Sequence, residues 1–289
     1  MNLRRKLTIA TWAAPREGNI YGKLTLDVTE AQRYIAEVRE KTGQKVTITH
    51  LVGRAAAEGL AQVPSLNGRV VLNRFVPFET VDMAFLVAVD GGKNLGKVKV
   101  ERVNEKSVAE VAAELTEDAS RLRAGGDKEF EKSKGLVRLL PVFLLRWVLF
   151  VVGFLTGGLG WRVAGMERFP FGSCIVTSVG MLGLDEGFAP PTPFARVPVY
   201  LLVGAIRPQP AVVDGEVVVR DQITVTATVD HRFVDGYQLG TLAKTFREVI
   251  ENPWLLDGES GPEEPAGLPA PRGEIEEREE IEETEELLA

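Results

Sequence analysis

With 289 residues, 45% of them hydrophobic and 26% charged, the chain can bury the core of one large domain or two small ones, which excludes wholesale disorder and a small disulfide scaffold. The net charge of −7 sits at one end: residues 258–289 hold 12 Glu and 2 Arg, a local −10, so Met1–Asp257 carries +3 without a basic cluster, which argues against nucleic-acid binding. The single cysteine, Cys174, excludes an internal disulfide and a zinc cluster and points to a reducing, cytoplasmic setting, while His50 and His231 are the only imidazoles any mechanism can use.

The first residues, MNLRRKLTIATW, are basic, but Pro15, Arg16 and Glu17 interrupt the apolar run before a signal-peptide core can form. Leu24–Val28 alternates as a strand, and Thr29 caps a helix running to about Thr42, with Gly43 in the terminating position. His50–Val63 has helical spacing and stops at Pro64; His50, at its start and without an acidic companion, reads as structural or capping. Strands are predicted at Arg69–Leu72, Asp82–Val89 and Lys97–Val103. Gly91–Val98 (GGKNLGKV) meets part of a phosphate-loop pattern, but Val98 stands where a magnesium-binding Ser or Thr is required and a strand follows, so the segment reads as a turn. Ser107 with Glu110 forms a capping box for a helix ending near Gly125 and Gly126.

Residues 136–163, LVRLLPVFLLRWVLFVVGFLTGGLGWRV, contain one charge, Arg146, between Leu139 and Trp161. The length suffices nominally for a membrane span, yet Pro141, Arg146 and four glycines interrupt it. A span would also put strands of one sheet on opposite faces of a bilayer. Interfacial insertion of 139–160, burial against the body or a sister subunit, and a hydrophobic lid remain the open readings. Further strands are expected at Ser173–Ser178, Val199–Ile206, Val217–Arg220 and Gln222–Val229, with Asp214-Gly215 as a hairpin signal. Tyr237–Glu251 reads as an amphipathic helix. Interspersed strands and helices without a regular βαβ period predict an α/β two-layer sandwich with a mixed sheet over residues 1–257, followed by an acidic, disordered tail over 258–289.

The stretch Thr226–Gly240, TATVDHRFVDGYQLG, holds the chemistry: an alternating strand delivers Asp230 and His231, and Asp235-Gly236 turns the chain into the last helix. An imidazole held at a strand end can serve as a general base once its ring is oriented. DHRFVDG resembles the D-H-R-x-x-D-G signature of the chloramphenicol-acetyltransferase-like superfamily, above all the catalytic domains of the acyltransferase subunits of 2-oxo acid dehydrogenase complexes. Gly172–Gly187 (GSCIVTSVGMLGLDEG), Phe188–Ile206 (FAPPTPFARVPVYLLVGAI) and Val63–Asn67 (VPSLN) are similar to further segments of that family, and Val87–Val108 follows its strand, loop and helix. The likeness covers residues 20 to 256 in order.

The resemblance implies a coenzyme-A-dependent acyltransferase fold, with coenzyme A or acyl-coenzyme A as substrate. It implies that His231 takes the proton of a thiol and that Thr177, with Ser178 as fallback, donates to the tetrahedral oxyanion. Asp235 would hold the loop through charge-assisted bonds, with an arginine as one candidate partner, while Gly180, Arg232 and Gly236 support the site. It also implies a homotrimer or higher oligomer whose active site lies between subunits. No metal is expected, and Cys174 reads as a buried strand residue. Residues 136–163 stand as an insertion relative to the family, and Tyr237 and Gln238 replace small residues where the acyl pocket could change. No lipoyl-bearing module precedes the domain, so a freestanding protein without its own lipoyl group is expected to meet one in trans or to use another thiol or hydroxyl acceptor. The alternative is a non-catalytic trimeric scaffold or membrane-associated binding protein that uses the hydrophobic insertion.

Overall fold

A computed structural model describes residues 18–89, 94–126, 137–163, 165–213 and 215–262. The elements in chain order are β1 (Asn19–Asp27), α1 (Thr29–Thr42), α2 (Ile48–Gln62), β2 (Gly68–Val71), β3 (Arg74–Pro77), β4 (Met83–Val89), β5 (Asn94–Val100), α3 (Val108–Arg121), α4 (Val142–Gly153), β6 (Cys174–Ser178), β7 (Val199–Val213), β8 (Glu216–Asp230) and α5 (Gly236–Glu251). Six strands form one mixed sheet in the order β1-β8-β7-β6-β4-β5, parallel across β4-β6-β7 and antiparallel elsewhere, and β2 pairs with β3 in a separate hairpin. The α/β sandwich with a mixed sheet expected from the sequence is the architecture found.

Alternation along the strands divides the sheet. Met83, Phe85, Cys174, Val176, Val199, Leu201, Val225 and Val229 share one continuous core with α1, α2, α3 and α5. On the other face Ala84, Ile175 and Tyr200 form a smaller cluster with Ala195 and Val197 from the loop before β7. Burial drives this division, because each methylene withdrawn from water contributes about 0.8 kcal/mol. Cys174 is fully buried on the helical face, as expected, and burial pushes its thiol pKa up.

Several boundaries differ from expectation. β1 starts five residues before Leu24, and the first residue of α1 is Thr29 itself, whose N–H and hydroxyl both donate to Asp27 Oδ1 at 2.9 and 2.6 Å. The strand expected at Lys97–Val103 ends at Val100, because Arg102 adopts φ 52 and opens a short 3-10 turn. The two strands expected at Val217–Arg220 and Gln222–Val229 are one 15-residue strand, β8, paired with an equally long β7. The hairpin signal stands, with Val213 opposite Glu216 and Gly215 at φ 86; Asp214 lies outside the described residues, as do Gly91–Lys93 of the glycine-rich turn and residues 263–289 of the tail.

The hydrophobic stretch forms α4 and a wider turn over Phe154–Gly158 that docks on the body through one side. A Cβ added to Gly153 would stand 2.4 Å from the Phe194 carbonyl oxygen, and Arg69 donates to the Gly158 carbonyl at 2.8 Å. The opposite side of the segment leaves Leu139, Phe143, Trp147, Phe150 and Val151 48–82% exposed. No helix among the described residues is long and apolar enough to cross a membrane.

Candidate active site

β8 carries the chain to Asp230, whose N–H donates to the Pro198 carbonyl at 2.9 Å, and the His231 N–H donates to Gly18 O at 3.1 Å. Phe233 and Val234 are buried, with Phe233 edge-on to Phe75 at 6.1 Å, so the turn after β8 is pinned by its apolar residues. Its polar residues point outward: His231, Arg232 and Asp235 are exposed. His231 Nδ1 lies 2.6 Å from the Val234 carbonyl oxygen. That oxygen can only accept, so Nδ1 holds the ring proton and Nε2 keeps its lone pair.

Asp235 is the N-cap of α5. Its carboxylate accepts from the Tyr237 N–H at 3.0 Å, and its own N–H donates to Gln238 Oε1 at 3.1 Å. Arg232 forks onto Asp230, with Nε 3.0 Å from both carboxylate oxygens. A capping contact explains the preference for Asp here, because a helix N-terminus leaves amide donors that a short carboxylate satisfies. Gln238 belongs to the same box and Tyr237 is exposed, so neither is buried in an acyl pocket of the single chain. Gly236 opens the helix with nothing within 4 Å of an added Cβ. The D-x-x-Q box was readable in the sequence as a helix start.

Thr177 lies in β6 between Leu86 of β4 and Leu202 of β7, 8% exposed and on the face opposite the helices. Ser178 follows opposite Val203, and its side chain belongs to the helical side. Gly180 then passes so close to β7 that a Cβ would meet Gly204 O at 2.8 Å; a side chain there would push the loop away from the β7 bulge. Gly172, before β6, has φ 62, and a Cβ would stand 2.0 Å from Asp82 O. Ser173 bonds Asn67 through its hydroxyl, and Asn67 Nδ2 reaches Thr80 O at 3.3 Å, so Asn67 of the VPSLN segment ties the β2-β3 hairpin to the start of β6.

The register separates the two principal candidates. Thr177 is level with Leu202 and, through it, with Thr226, five residues before His231 and two strands away. At roughly 3.3 Å per residue and 4.8 Å per strand this amounts to about 20 Å. One chain therefore cannot present both side chains to a single reacting atom.

His50, the other imidazole, caps α2: its Nδ1 accepts from the Thr47 N–H at 3.1 Å. Burial, aided by Arg39, lowers its pKa to about 4. Among the described residues no group of three or more His, Cys, Asp or Glu side chains could hold a metal ion.

An acyltransferase core is the class that this sheet and histidine turn define. The chain belongs to the 2-oxoacid dehydrogenases acyltransferase (catalytic domain) family, whose model matches residues 16–136 and 165–257. The unmatched 137–164 coincides with the hydrophobic insertion to within a residue. Among curated relatives, a probable dihydrolipoyllysine-residue succinyltransferase component of the mitochondrial 2-oxoglutarate dehydrogenase complex of Schizosaccharomyces pombe is 23% identical over 228 residues, covering 77% of this chain and 41% of the relative. The chain spans about two fifths of the length of the curated relatives it matches. Among solved structures, a probable dihydrolipoamide acetyltransferase from Listeria monocytogenes superposes with a TM-score of 0.62 at 19% identity, covering 86% of this chain and 89% of the other. The cubic core of a pyruvate dehydrogenase multienzyme complex superposes with a TM-score of 0.61 at 17% identity, covering 88% and 87%. They share its fold.

Proposed function

We propose that the protein transfers an acyl group between coenzyme A and a thiol or hydroxyl acceptor, with a dihydrolipoyl group on another protein as the favoured acceptor, in a site formed by His231 of one copy and Thr177 of its neighbour. The step balances without any further reagent. For a thiol acceptor, His231 Nε2 takes the S–H proton, the thiolate forms a new C–S bond at the thioester carbonyl, and the oxyanion accepts a hydrogen bond from Thr177. Collapse breaks the old C–S bond, and the leaving thiolate recovers the proton from the imidazolium. Arg232 and Asp235 act as positioning residues that fix the turn carrying the histidine.

The observation that carries this reading is the separation of about 20 Å between Thr177 and His231 within one chain, together with the exposure of the histidine. If both residues act on one acyl group, a second copy must supply one of them. Surface on the Thr177 side suits that: Met181, Leu182, Leu184 and Phe188 are 44–63% exposed. The β7-β8 ribbon adds Val212, Val217 and Val219 at 60–74%. A homotrimer closes such a head-to-tail contact into a ring. The names of the relatives, dihydrolipoyllysine-residue acyltransferase components of dehydrogenase complexes, support a dihydrolipoyl group as the acceptor.

Subunit complementation tests it. His231→Ala and Thr177→Ala chains, each inactive alone, are mixed by denaturation and refolding and assayed for thiol exchange with acetyl-coenzyme A. Random mixing of a ring restores one interface in four, about a quarter of wild-type activity. No recovery in verified mixed oligomers excludes the shared site, and a wild type without exchange on any acyl-coenzyme A leaves the non-catalytic scaffold.

The exposed row on α4 favours one addition. Leu139, Phe143, Trp147 and Phe150 lie along one side of a segment whose only charged residues from 137 to 163 are Arg138, Arg146 and Arg162, a composition suited to the headgroup region of an anionic bilayer. Peripheral attachment of a cytoplasmic protein to the membrane is the localisation this supports.

A further inference from the structure

The fold contains a cavity of about 340 Å³ between the helical face of the sheet and α5. Val199, Leu201, Val225 and Val229 form its floor, and Leu242 and Phe246 its opposite wall. This volume falls in the range of small-molecule sites, about 300–1,000 Å³. The cavity persists because small residues face one another across it. Gly22 of β1 is paired with Ala227 of β8, and an added Cβ on Gly22 would only just touch Ala227 at 3.8 Å; on α5, Gly240 and Ala243 complete the lining. Gly22 and Gly240 are both exposed, so the opening lies between the edge strand and the helix. Larger residues at these positions would close the space and add apolar burial, so their absence keeps a void that costs stability.

Two features point to an occupant. The lining is hydrocarbon apart from the mouth and Cys174, whose thiol is kept neutral by burial. One end reaches the Ile20–Val229 pair, adjacent to Asn19–Asp230, and the next residue, His231, bonds Gly18. The cavity thus ends two residues along the backbone from the residue assigned as base.

We propose that this cavity receives the hydrocarbon chain of the acyl group, making the substrate a medium-chain acyl thioester and not acetyl alone. The inference rests on the role given to His231. It places the selectivity in the Gly22–Ala227 and Gly240–Ala243 surfaces, away from the catalytic turn.

Two measurements on the full-length oligomer test it. The first is saturable binding of a polyene fatty acid, read by its fluorescence rise in apolar surroundings and displaced by decanoate. The second is the ratio of kcat/KM for octanoyl- to acetyl-coenzyme A in wild type, Ala227→Leu and Ala243→Phe, each verified by melting temperature and oligomer mass. The cavity reading expects binding in the wild type, loss of binding in both variants, and an octanoyl-to-acetyl ratio lowered at least tenfold while acetyl transfer stays within about twofold, the scale of discrimination by methylenes in an apolar pocket. Absence of fatty-acid binding in the wild type overturns the inference even if neither variant folds, as does an unchanged ratio. His231-dependent acetyl transfer would survive that failure. Conversely, variant-sensitive fatty-acid binding without transfer of any acyl group keeps the cavity and removes the enzymatic reading.

Discussion

The Val234 carbonyl oxygen sits 2.6 Å from His231 Nδ1, three residues along the same turn, and fixes which nitrogen of the imidazole carries the proton. Because Val234 is buried beside Phe233, the carbonyl cannot swing away without disturbing the core. The ring is therefore held with Nε2 unprotonated in its neutral form, the arrangement a general base requires. Nitrogen NMR of the protein at pH 8 should show His231 as the Nδ1–H tautomer. His231→Ala should lower kcat by about 10²–10⁴, with little change in melting temperature because the ring is exposed. An equal rate in the variant would remove His231 from the mechanism.

Thr177 makes a sharper test, because its side chain can be altered by single groups. Thr177→Ala removes the hydroxyl donor and should cost about 10²–10³ in kcat, with KM nearly unchanged. Thr177→Ser keeps the donor and loses one methyl from a site that is 8% exposed, so it should retain activity within about tenfold and lose roughly 1 kcal/mol of stability. If alanine and serine variants were equally slow, a packing role for Thr177 would explain the loss better than an oxyanion contact, and Ser178 would need testing in its place.

The sandwich and the histidine turn were legible because their signals are local: alternation in β8, the D-H-R-x-x-D-G pattern, and the Ser107–Glu110 box that the structure shows with Glu110 N donating to Ser107 Oγ at 3.2 Å. The failures have physical causes. β3 carries no local turn signal because its hairpin turn uses Leu72 and Asn73 at φ 48 and 60, a left-handed pair without the glycine that normally marks it. β7 seemed to end at Ile206 because Arg207, Pro208 and Pro210 follow. Prolines are tolerated there because this part of β7 pairs only with β8 in a ribbon beyond the six-stranded sheet. Asp221 similarly interrupts the apolar alternation of β8, yet it continues the strand opposite Pro208, and its carbonyl accepts from Val28. The distance between Thr177 and His231 depends on strand order and register, which no local pattern encodes.

The α4 surface predicts a lipid dependence. Phe143 and Trp147 are each 66% exposed and add little to folding, so replacing both by Ser should leave the melting temperature unchanged or higher. Wild-type protein should sediment with phosphatidylglycerol vesicles and less with phosphatidylcholine vesicles, and the double variant should bind at least tenfold more weakly, given about 1.5–3 kcal/mol for each large apolar side chain removed from water. Dissociation of the oligomer in the double variant, with no vesicle binding by the wild type, would assign the face to a sister subunit.

His50 predicts an acid sensitivity unconnected with catalysis. Its pKa falls to about 4 in the folded chain because the half-buried ring is shielded from water and lies near Arg39, whereas the unfolded chain titrates near 6.5. Between those values the unfolded state binds more protons, so stability is complete above about pH 6.5 and declines as pH falls toward 4. By pH 5 the loss should be on the order of 2 kcal/mol from this group. His50→Gln keeps an acceptor for the Thr47 N–H, since glutamine serves at this position of a capping box, but cannot take up a proton. Urea midpoints at pH 7 should be similar for the two proteins, and at pH 5 the variant should hold the higher midpoint. Parallel declines in both would show that other groups carry the acid sensitivity and that protonation of His50 leaves the start of α2 intact.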